Sequence, residues 1–257
     1  MVTNESVQSQ VYEDDCLNRL AAFDSGSIDL IYADPPFSTG STRQGRKRDG
    51  NDLEYEDRWP SLEAYLGFLE PRIQAMHRAL ADDGAILLHV DWRSAHRVRC
   101  LLDEIFGADR FVNHLVWHYG LGGSAADRFA RKHDDILYYA RGDERWFDPP
   151  MVPATSRRLA GRLKKATDVL EIASINNMAK ERTGWPDQKP LALLDMLIRA
   201  CCPPGGLVLD PFCGSGTTVE AAVRSGRRGI GIDRHPDAVG IARERLDSAL
   251  AETTDEG

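Results

Sequence analysis

The sequence predicts an α/β fold built on a largely parallel sheet, and three observations carry that reading. Short apolar runs alternate with helical patterns along most of the chain, the rhythm of strands joined by crossover helices. One such run, Leu207-Val208-Leu209, leads into a glycine turn and then a helix, as strands of parallel sheets do at a ligand site. With 257 residues, 42% apolar and 28% charged, the chain can bury one substantial core or two small ones.

The elements follow in order. Val11-Tyr12 is a short first strand, and Ser27 to Ala33 reads as a strand ending at Asp34. Ser61 to Leu80 reads as a helix, with Ser61 as its N-cap and Leu62, Tyr65, Leu66, Leu69, Ile73, Met76 and Leu80 on one stripe. A strand over Ala85 to Val90 and a helix over Ala95 to Phe106 come next; His89 and Asp91, at that strand's end, receive no role. Phe111 to His118 and Asp135 to Ala140 are two further strands joined by a glycine-bearing loop.

Residues 141–187 break the rhythm with Pro149, Pro150 and Pro153, then Arg157, Arg158, Arg162, Lys164 and Lys165 with no acid among them. They read as an insertion on the α/β body rather than part of it. The alternation then resumes: a helix over Leu191 to Cys201, a strand Leu207 to Leu209, a helix Thr217 to Arg224, a strand Gly229 to Ile232, and a closing helix Pro236 to Leu250. The expected division is 1–140, 141–187 and 188–257, with the outer two parts forming one α/β domain.

Forty acidic residues against 32 basic ones give a formal net charge of -8, which at face value disfavours a nucleic-acid partner. The acid is concentrated at the ends, however. Residues 1–40 hold seven acids and one base, and residues 232–257 seven acids and three bases, so the middle of the chain is slightly basic. No window approaches the roughly 18 apolar residues of a membrane span, and the first ten residues lack the pattern of a secretory signal. Five cysteines (Cys16, Cys100, Cys201, Cys202, Cys213) with no C-x-x-C pair suggest a reduced, cytoplasmic protein without a zinc site.

The strongest local signal runs from Leu207 to Thr218: L-V-L-D-P-F-C-G-S-G-T-T. A strand, a glycine turn and a helix start place backbone N–H groups beside whatever binds there. Asp233 closes the next strand, 19 residues beyond Gly214, where a carboxylate can accept both hydroxyls of a ribose. Together they describe a site for an adenosine-bearing ligand. The plainer alternative is a tight strand-to-helix connection, which the two aspartates make less natural. A dinucleotide is disfavoured, because the third glycine of G-x-G-x-x-G is missing and Asp210 would meet pyrophosphate. A carboxylate there suits a cation, such as the amino group of an amino-acid moiety.

The second signal is Asp34-Pro35-Pro36-Phe37, directly after a buried strand. Two prolines fix φ and remove two donors, leaving acceptors: the Asp34 carboxylate and the Pro35 carbonyl. An exocyclic amine on a nucleobase has two N–H donors, and holding both on such acceptors pulls its nitrogen toward a tetrahedral, nucleophilic geometry. Phe37 can stack on the base. Alone, the turn could equally be a rigid loop; beside the glycine loop it points to chemistry.

With both motifs quoted, the sequence resembles the β-class amino-methyltransferases of DNA, which use S-adenosylmethionine to methylate adenine N6 or cytosine N4. The D-P-P-F turn precedes the D-P-F-C-G-S-G-T-T loop, the circularly permuted order of that class, and Asp15-Cys16 and Gln188-Lys189-Pro190 support the match over roughly residues 11–250. The resemblance implies a Rossmann-like class I methyltransferase sheet of seven mostly parallel strands, permuted, with an inserted target-recognition region. Asp34 and Asp210, 176 residues apart, would then end neighbouring strands at a switch point.

Residue by residue, the resemblance implies that Asp34 and Pro35 hold the target amine, Pro36 stiffens the turn and Phe37 stacks on the flipped base. Asp210, Pro211, Phe212, Gly214, Ser215, Gly216, Thr217 and Thr218 would line the methionine end of the cofactor, with Asp34 bordering it. Asp233 would meet the ribose, Asp15 and Cys16 the adenine, and Lys189 the amino-acid end. Relatives more often show Thr where this chain has Asp187 before Gln188.

A base within a duplex must be flipped out to reach such a pocket, which calls for phosphate contacts nearby. The candidates are Arg43, Arg46, Lys47 and Arg48 after the turn, Arg128, Arg131 and Lys132 farther on, and Arg157, Arg158, Arg162, Lys164 and Lys165 in the insertion, the expected target-recognition region. The implied partner is double-stranded DNA, and the resemblance leaves room for a homodimer and for a cognate restriction endonuclease. Asp in first position of the turn looks more like adenine-N6 members; Ser is commoner in cytosine-N4 members. A glutamine methyltransferase would carry Asn there and the opposite motif order. A nicotinamide dehydrogenase lacks support from the loop, and a silent DNA-binding module would need a disrupted turn.

Overall fold

Ile28, Leu30, Ile31, Tyr32 and Ala33 are all shut away from solvent in strand β2 (Ile28–Ala33). A strand buried on both faces belongs inside a sheet covered by helices on both sides. The computed structural model describes residues 8–37, 40–46, 52–120, 125–154, 158, 160–176 and 178–255. Among them the elements are β1 (Gln10–Glu13), α1 (Cys16–Ala21), β2, β3 (Ser41–Arg46), β4 (Asp52–Asp57), α2 (Leu62–Ala79), β5 (Leu80–Val90), α3 (Ala95–Phe106), β6 (Phe111–His118) and β7 (His133–Ala140). They continue with β8 (Met151–Pro153), β9 (Leu163–Lys165), β10 (Val169–Glu171), α4 (Leu191–Cys201), β11 (Leu207–Asp210), α5 (Thr217–Arg224), β12 (Arg228–Asp233) and α6 (Pro236–Asp255).

The main sheet has eight strands in the order β1-β12-β11-β2-β5-β7-β6-β10. Only β7 opposes its neighbours; the other pairings are parallel. β11 and β2 lie side by side, with Val208 opposite Leu30 and Leu209 opposite Ile31. The strands ending in the two sequence motifs are therefore adjacent, with the turns at the same edge of the sheet.

Helices α2 and α3 cover one face through Tyr65, Leu69, Ile73, Met76, Val98 and Leu102. On the other face α4 packs Leu193, Leu194, Leu197 and Ile198 against Leu30, Tyr32, Leu87 and Val208. Helix α6 closes over α5 through Val239, Ala242 and Leu246. Ser61 caps α2 as the sequence predicts, accepting the Ala64 N–H at 3.2 Å.

The structure adds an eighth strand to the expected seven. Part of the 141–187 segment joins the sheet: β10 pairs with β6, Leu170 is its one buried side chain, and Trp117 donates its indole N–H to the Ile172 carbonyl at 2.8 Å. That corrects the view of the segment as lying wholly outside the α/β body. Two antiparallel hairpins, β3–β4 and β8–β9, and the short helix α1 were also unforeseen. No helix among the described residues is long and apolar enough to cross a membrane.

Candidate active site

Three adjacent parallel strands, β2, β11 and β12, each deliver an aspartate to one edge of the sheet. Asp210 ends β11 and is 2% exposed. It accepts the Phe212 N–H at 3.0 Å and the Thr218 hydroxyl at 2.5 Å. Burial pushes its pKa up to about 7; the two hydrogen bonds oppose the rise, and the charges of Asp34 and Asp233 add to it. Asp233 ends β12 and accepts the Gly214 N–H at 2.9 Å and the His235 N–H at 2.8 Å, with burial again raising its pKa. One strand end thus carries a buried acid poised between charged and neutral, and the next a carboxylate anchored to the loop.

The loop itself is held from behind. Gly216, at φ 77°, starts α5, and a Cβ there would sit 2.7 Å from that of Ala242 on α6. The α-carbon of Gly216 therefore packs directly against helix α6, where a larger residue would not fit. Arg245 on α6 donates to the Thr217 hydroxyl at 2.8 Å and to Ser215 at 3.2–3.3 Å, and pairs with Glu220 at 2.6 Å. Nothing in the local sequence pattern links Arg245 to a loop thirty residues earlier.

At the head of the Asp34-Pro35-Pro36-Phe37 turn, the Asp34 side chain is 18% exposed. Oδ2 receives a hydrogen bond from the buried Lys189 ammonium, which also lies 3.4 Å from the Asp187 carbonyl and 5.3 Å from the Phe37 ring centroid. Burial works to lower the Lys189 pKa, but Asp34 and Asp187 outweigh it and the net direction is upward. On the other side, Asp34 Oδ1 lies 3.9 Å from His89 Nδ1. That nitrogen is 2.7 Å from the Tyr32 hydroxyl, and His89 Nε2 is 3.3 Å from Asp134. Tyr32, His89 and Asp134 come from three strands, so no local pattern in the sequence marks them as a group. Asp91, by contrast, accepts from the Arg93 N–H and pairs with its guanidinium just ahead of α3.

Tyr32, Asp34, Asp187, Lys189, Asp210 and Asp233 share one cleft of about 570 Å³, and His89 and Asp134 lie behind its wall. Of the residues expected to act, Asp15, Cys16, Asp34, Pro36, Lys189, Asp210, Pro211, Phe212, Gly214, Ser215, Thr217, Thr218 and Asp233 line it. Pro35 and Phe37 do not; Pro35 is buried, and the Phe37 ring lies 5.5 Å from that of His89. Asp15 caps α1 through the Leu17 N–H and is gripped by Arg72 at 2.8 and 3.0 Å. Burial pushes the Cys16 thiol up to about 11, so it is a packing group rather than a nucleophile.

The remaining wall is formed by the β3–β4 hairpin and the 184–187 segment. A Cβ on Gly45 would sit 2.2 Å from the Gly184 carbonyl, so the two backbones touch. Tyr55 stacks on Trp185, with centroids 6.3 Å apart and planes 14° from parallel, and donates to Asp187 at 3.0 Å. Asp187 has φ 53°, the one non-glycine residue with positive φ among those described.

Residues 28–244 match the model of a family of N6/N4 methyltransferases described as DNA methylase. The chain belongs to the DNA methylase family. It is 30% identical over 261 residues to Type II methyltransferase M.ScaI of Streptomyces caespitosus, covering 93% of this chain and 81% of that one. Over 241 residues it is 30% identical to Type II methyltransferase M.HpaI of Haemophilus parainfluenzae, covering 91% and 73%. Among solved structures, the M1.HpyAVI–SAM complex aligns with a TM-score of 0.65 at 22% identity over 93% of this chain and 98% of that one. The cytosine-N4-specific PvuII DNA methyltransferase gives 0.72 at 18% identity over 93% and 86%. The two structural likenesses speak for the fold.

The DNA methylase family transfers a methyl group from S-adenosylmethionine to an exocyclic amino nitrogen, and the donor set of the cleft fits such a molecule. Asp210 and Asp233 are acceptors of the kind that a cationic amino group and vicinal hydroxyls need, and aromatic side chains line the wall.

Outside the cleft, the methylase's basic groups vary in how they are engaged. Arg43 is within ion-pair distance of Asp187 (3.2 Å) and Asp57 (3.6 Å), so it braces the hairpin instead of facing outward to phosphate as expected. Arg128 pairs with its neighbour Asp127, Arg131 lies 3.7 Å over the Trp92 ring, and Lys132 donates to the Gly120 carbonyl. Arg158, Arg162 and Lys165 are exposed and Lys164 is half-buried. Lys47, Arg48, Arg157 and the side chain of Arg46 lie outside the described residues.

Proposed function

We propose that the chain transfers the methyl group of S-adenosylmethionine to N6 of an adenine flipped out of double-stranded DNA. The observation that carries this reading is Asp34 at the head of a proline-stiffened turn, in the same cleft as Asp210 and Asp233. S-adenosylmethionine supplies the electrophilic methyl group. Asp34 and the Pro35 carbonyl accept the two N–H bonds of the target amine, drawing its lone pair out of the ring. Because Lys189 takes Oδ2 of Asp34, Oδ1 remains as the acceptor for the amine. Lys189 also fixes the orientation of that carboxylate. Phe37 closes against the flipped base, and the cleft walls exclude water from the reacting nitrogen.

The 141–187 segment serves as the target-recognition region, and its exposed Arg158, Arg162 and Lys165 contact phosphate or base edges. The adenine assignment follows from Asp in first position of the turn; cytosine N4 is the second reading, since the fold is shared with a cytosine-N4-specific enzyme. Incubating DNA with labelled S-adenosylmethionine, digesting it and separating the nucleosides distinguishes the two. N6-methyladenine is the expected product; 4-methylcytosine alone would overturn the adenine assignment.

A further inference from the structure

Methyl transfer leaves the target nitrogen with one proton too many, inside a cleft built to keep water out. The groups around Asp34 offer a route for it. His89 is wholly buried at the end of β5, wedged between Trp117 and Phe37, with ring centroids 5.7 and 5.5 Å away. A buried imidazole used only for packing would need nothing ionisable around it, yet carboxylates flank both of its nitrogens. Nε2 faces Asp134 at 3.3 Å, which selects the tautomer carrying its proton there. Nδ1 is then a lone-pair acceptor; it faces the Tyr32 hydroxyl at 2.7 Å and Asp34 Oδ1 at 3.9 Å, on the side Lys189 leaves open.

We infer that His89, oriented by Tyr32 and Asp134, is the proton outlet of the methyl-transfer reaction, taking from Asp34 the proton that leaves the methylated nitrogen. This rests on the reading of Asp34 as the residue that holds the target amine. As the nitrogen–carbon bond forms and the sulfur–carbon bond of the donor breaks, the nitrogen becomes cationic. Its N–H bond then breaks, the electron pair stays on nitrogen, and an O–H bond forms on Asp34. That bond breaks in turn as the Tyr32 hydroxyl turns away from Nδ1, the Asp34 side chain closes the 3.9 Å gap and the proton bonds to Nδ1, giving an imidazolium whose Nε2–H points at the Asp134 carboxylate. Asp134 is partly exposed at the mouth of the β6–β7 connection, where the Tyr119 hydroxyl also donates to it at 3.4 Å, so the proton has a way to solvent.

The titratable groups around this imidazole are Tyr32 and Asp34 from β2 and its turn, and Asp134 from β7. Tyr119, at the end of β6, reaches it through Asp134, and Lys189, ahead of α4, through Asp34. Asp134 is held below the ordinary carboxylate range: burial acts to raise it, but the hydrogen bond and charge of His89, with Lys189 and Tyr119, prevail. His89 acts through Asp34 and is a positioning and relay residue, not a group in contact with the base.

The test is the pH dependence of single-turnover methyl transfer to plasmid DNA by the full chain. The wild-type rate falls on the acid side, and the relay sets that limb. Asp134→Asn removes the carboxylate that faces Nε2, so that acid limb shifts. His89→Gln slows transfer by about a hundredfold, abolishes the limb and introduces a solvent deuterium isotope effect. In both variants the dissociation constant for S-adenosylmethionine, measured by calorimetry, stays within a few-fold of wild type. Tyr32→Phe, with the same ring and no hydroxyl, is the conservative third variant should His89→Gln fail to fold, and it slows transfer less than tenfold. Variants that lower the rate while leaving the limb in place would overturn the outlet role. Wild-type protein that puts no methyl group on DNA would instead overturn the proposed function, whatever the variants do.

Discussion

Two aspartates close neighbouring parallel strands, and their surroundings treat the same carboxylate in opposite ways. Asp210 is sealed in, bonded to a hydroxyl and one N–H, with no cation beside it; its pKa rises to about 7. Asp34 is partly exposed and paired with the ammonium of Lys189. The contrast shows how one cleft can hold two jobs. An unpaired buried acid is a vacancy for an arriving cation, whereas an acid with a resident cation has one oxygen taken and offers the other as an acceptor.

The sharpest way to break that comparison is Asp34→Ala. It should lower turnover by about a thousandfold while S-adenosylmethionine still binds, as measured by labelled methyl transfer and calorimetry. Unchanged turnover would remove Asp34 from the chemistry. Asp210→Asn should do the converse and weaken cofactor binding by about ten- to a hundredfold. In the wild type that affinity should climb as pH rises toward about 7, because a cation prefers the ionised carboxylate, and the variant should lose this dependence.

A smaller effect concerns the ligand-free protein. The folded-state pKa of Asp210 lies above its unfolded value, so its contribution to stability is complete below about pH 4 and disappears as pH rises through about 7. Thermal melts should therefore show Asp210→Asn gaining on wild type above neutrality, by on the order of a few kcal/mol, and added cofactor should reverse the ranking. The smallest effect lies outside the cleft. DNA affinity should fall steeply with salt despite the acidic total, and replacing Arg158 and Arg162 together should flatten the log–log slope by roughly two. Salt-insensitive binding would mean that the exposed bases do not meet phosphate.

The motif strands, the crossover helices and the adjacency of β2 and β11 were legible because each rests on a long apolar pattern or on an extended motif. Polar, three- to six-residue strands carry no such pattern: Ser41–Arg46 and Asp52–Asp57 read as loop until their pairing is seen. The same limit applies to the site. Asp34, Asp210 and Asp233 announce themselves by ending strands, but Lys189's partner lies 155 residues away, and Tyr32, His89 and Asp134 meet only because β2, β5 and β7 are neighbours. Arg43 shows the reverse failure: a base within a basic run is occupied by Asp57 and Asp187 once the hairpin forms.

Asp187 carries a consequence of another kind. Its backbone is in the left-handed region, where Gly or Asn would be more comfortable, yet its carboxylate receives Tyr55 and Arg43 and so fastens the hairpin beside Lys189. Backbone and side chain ask for different amino acids at one position. Variant libraries sorted for thermal resistance should drift toward Gly or Asn there, while libraries sorted for methylation should keep Asp. The gap between the two selections would measure how much the fold concedes at Asp187 to keep its catalytic wall in place.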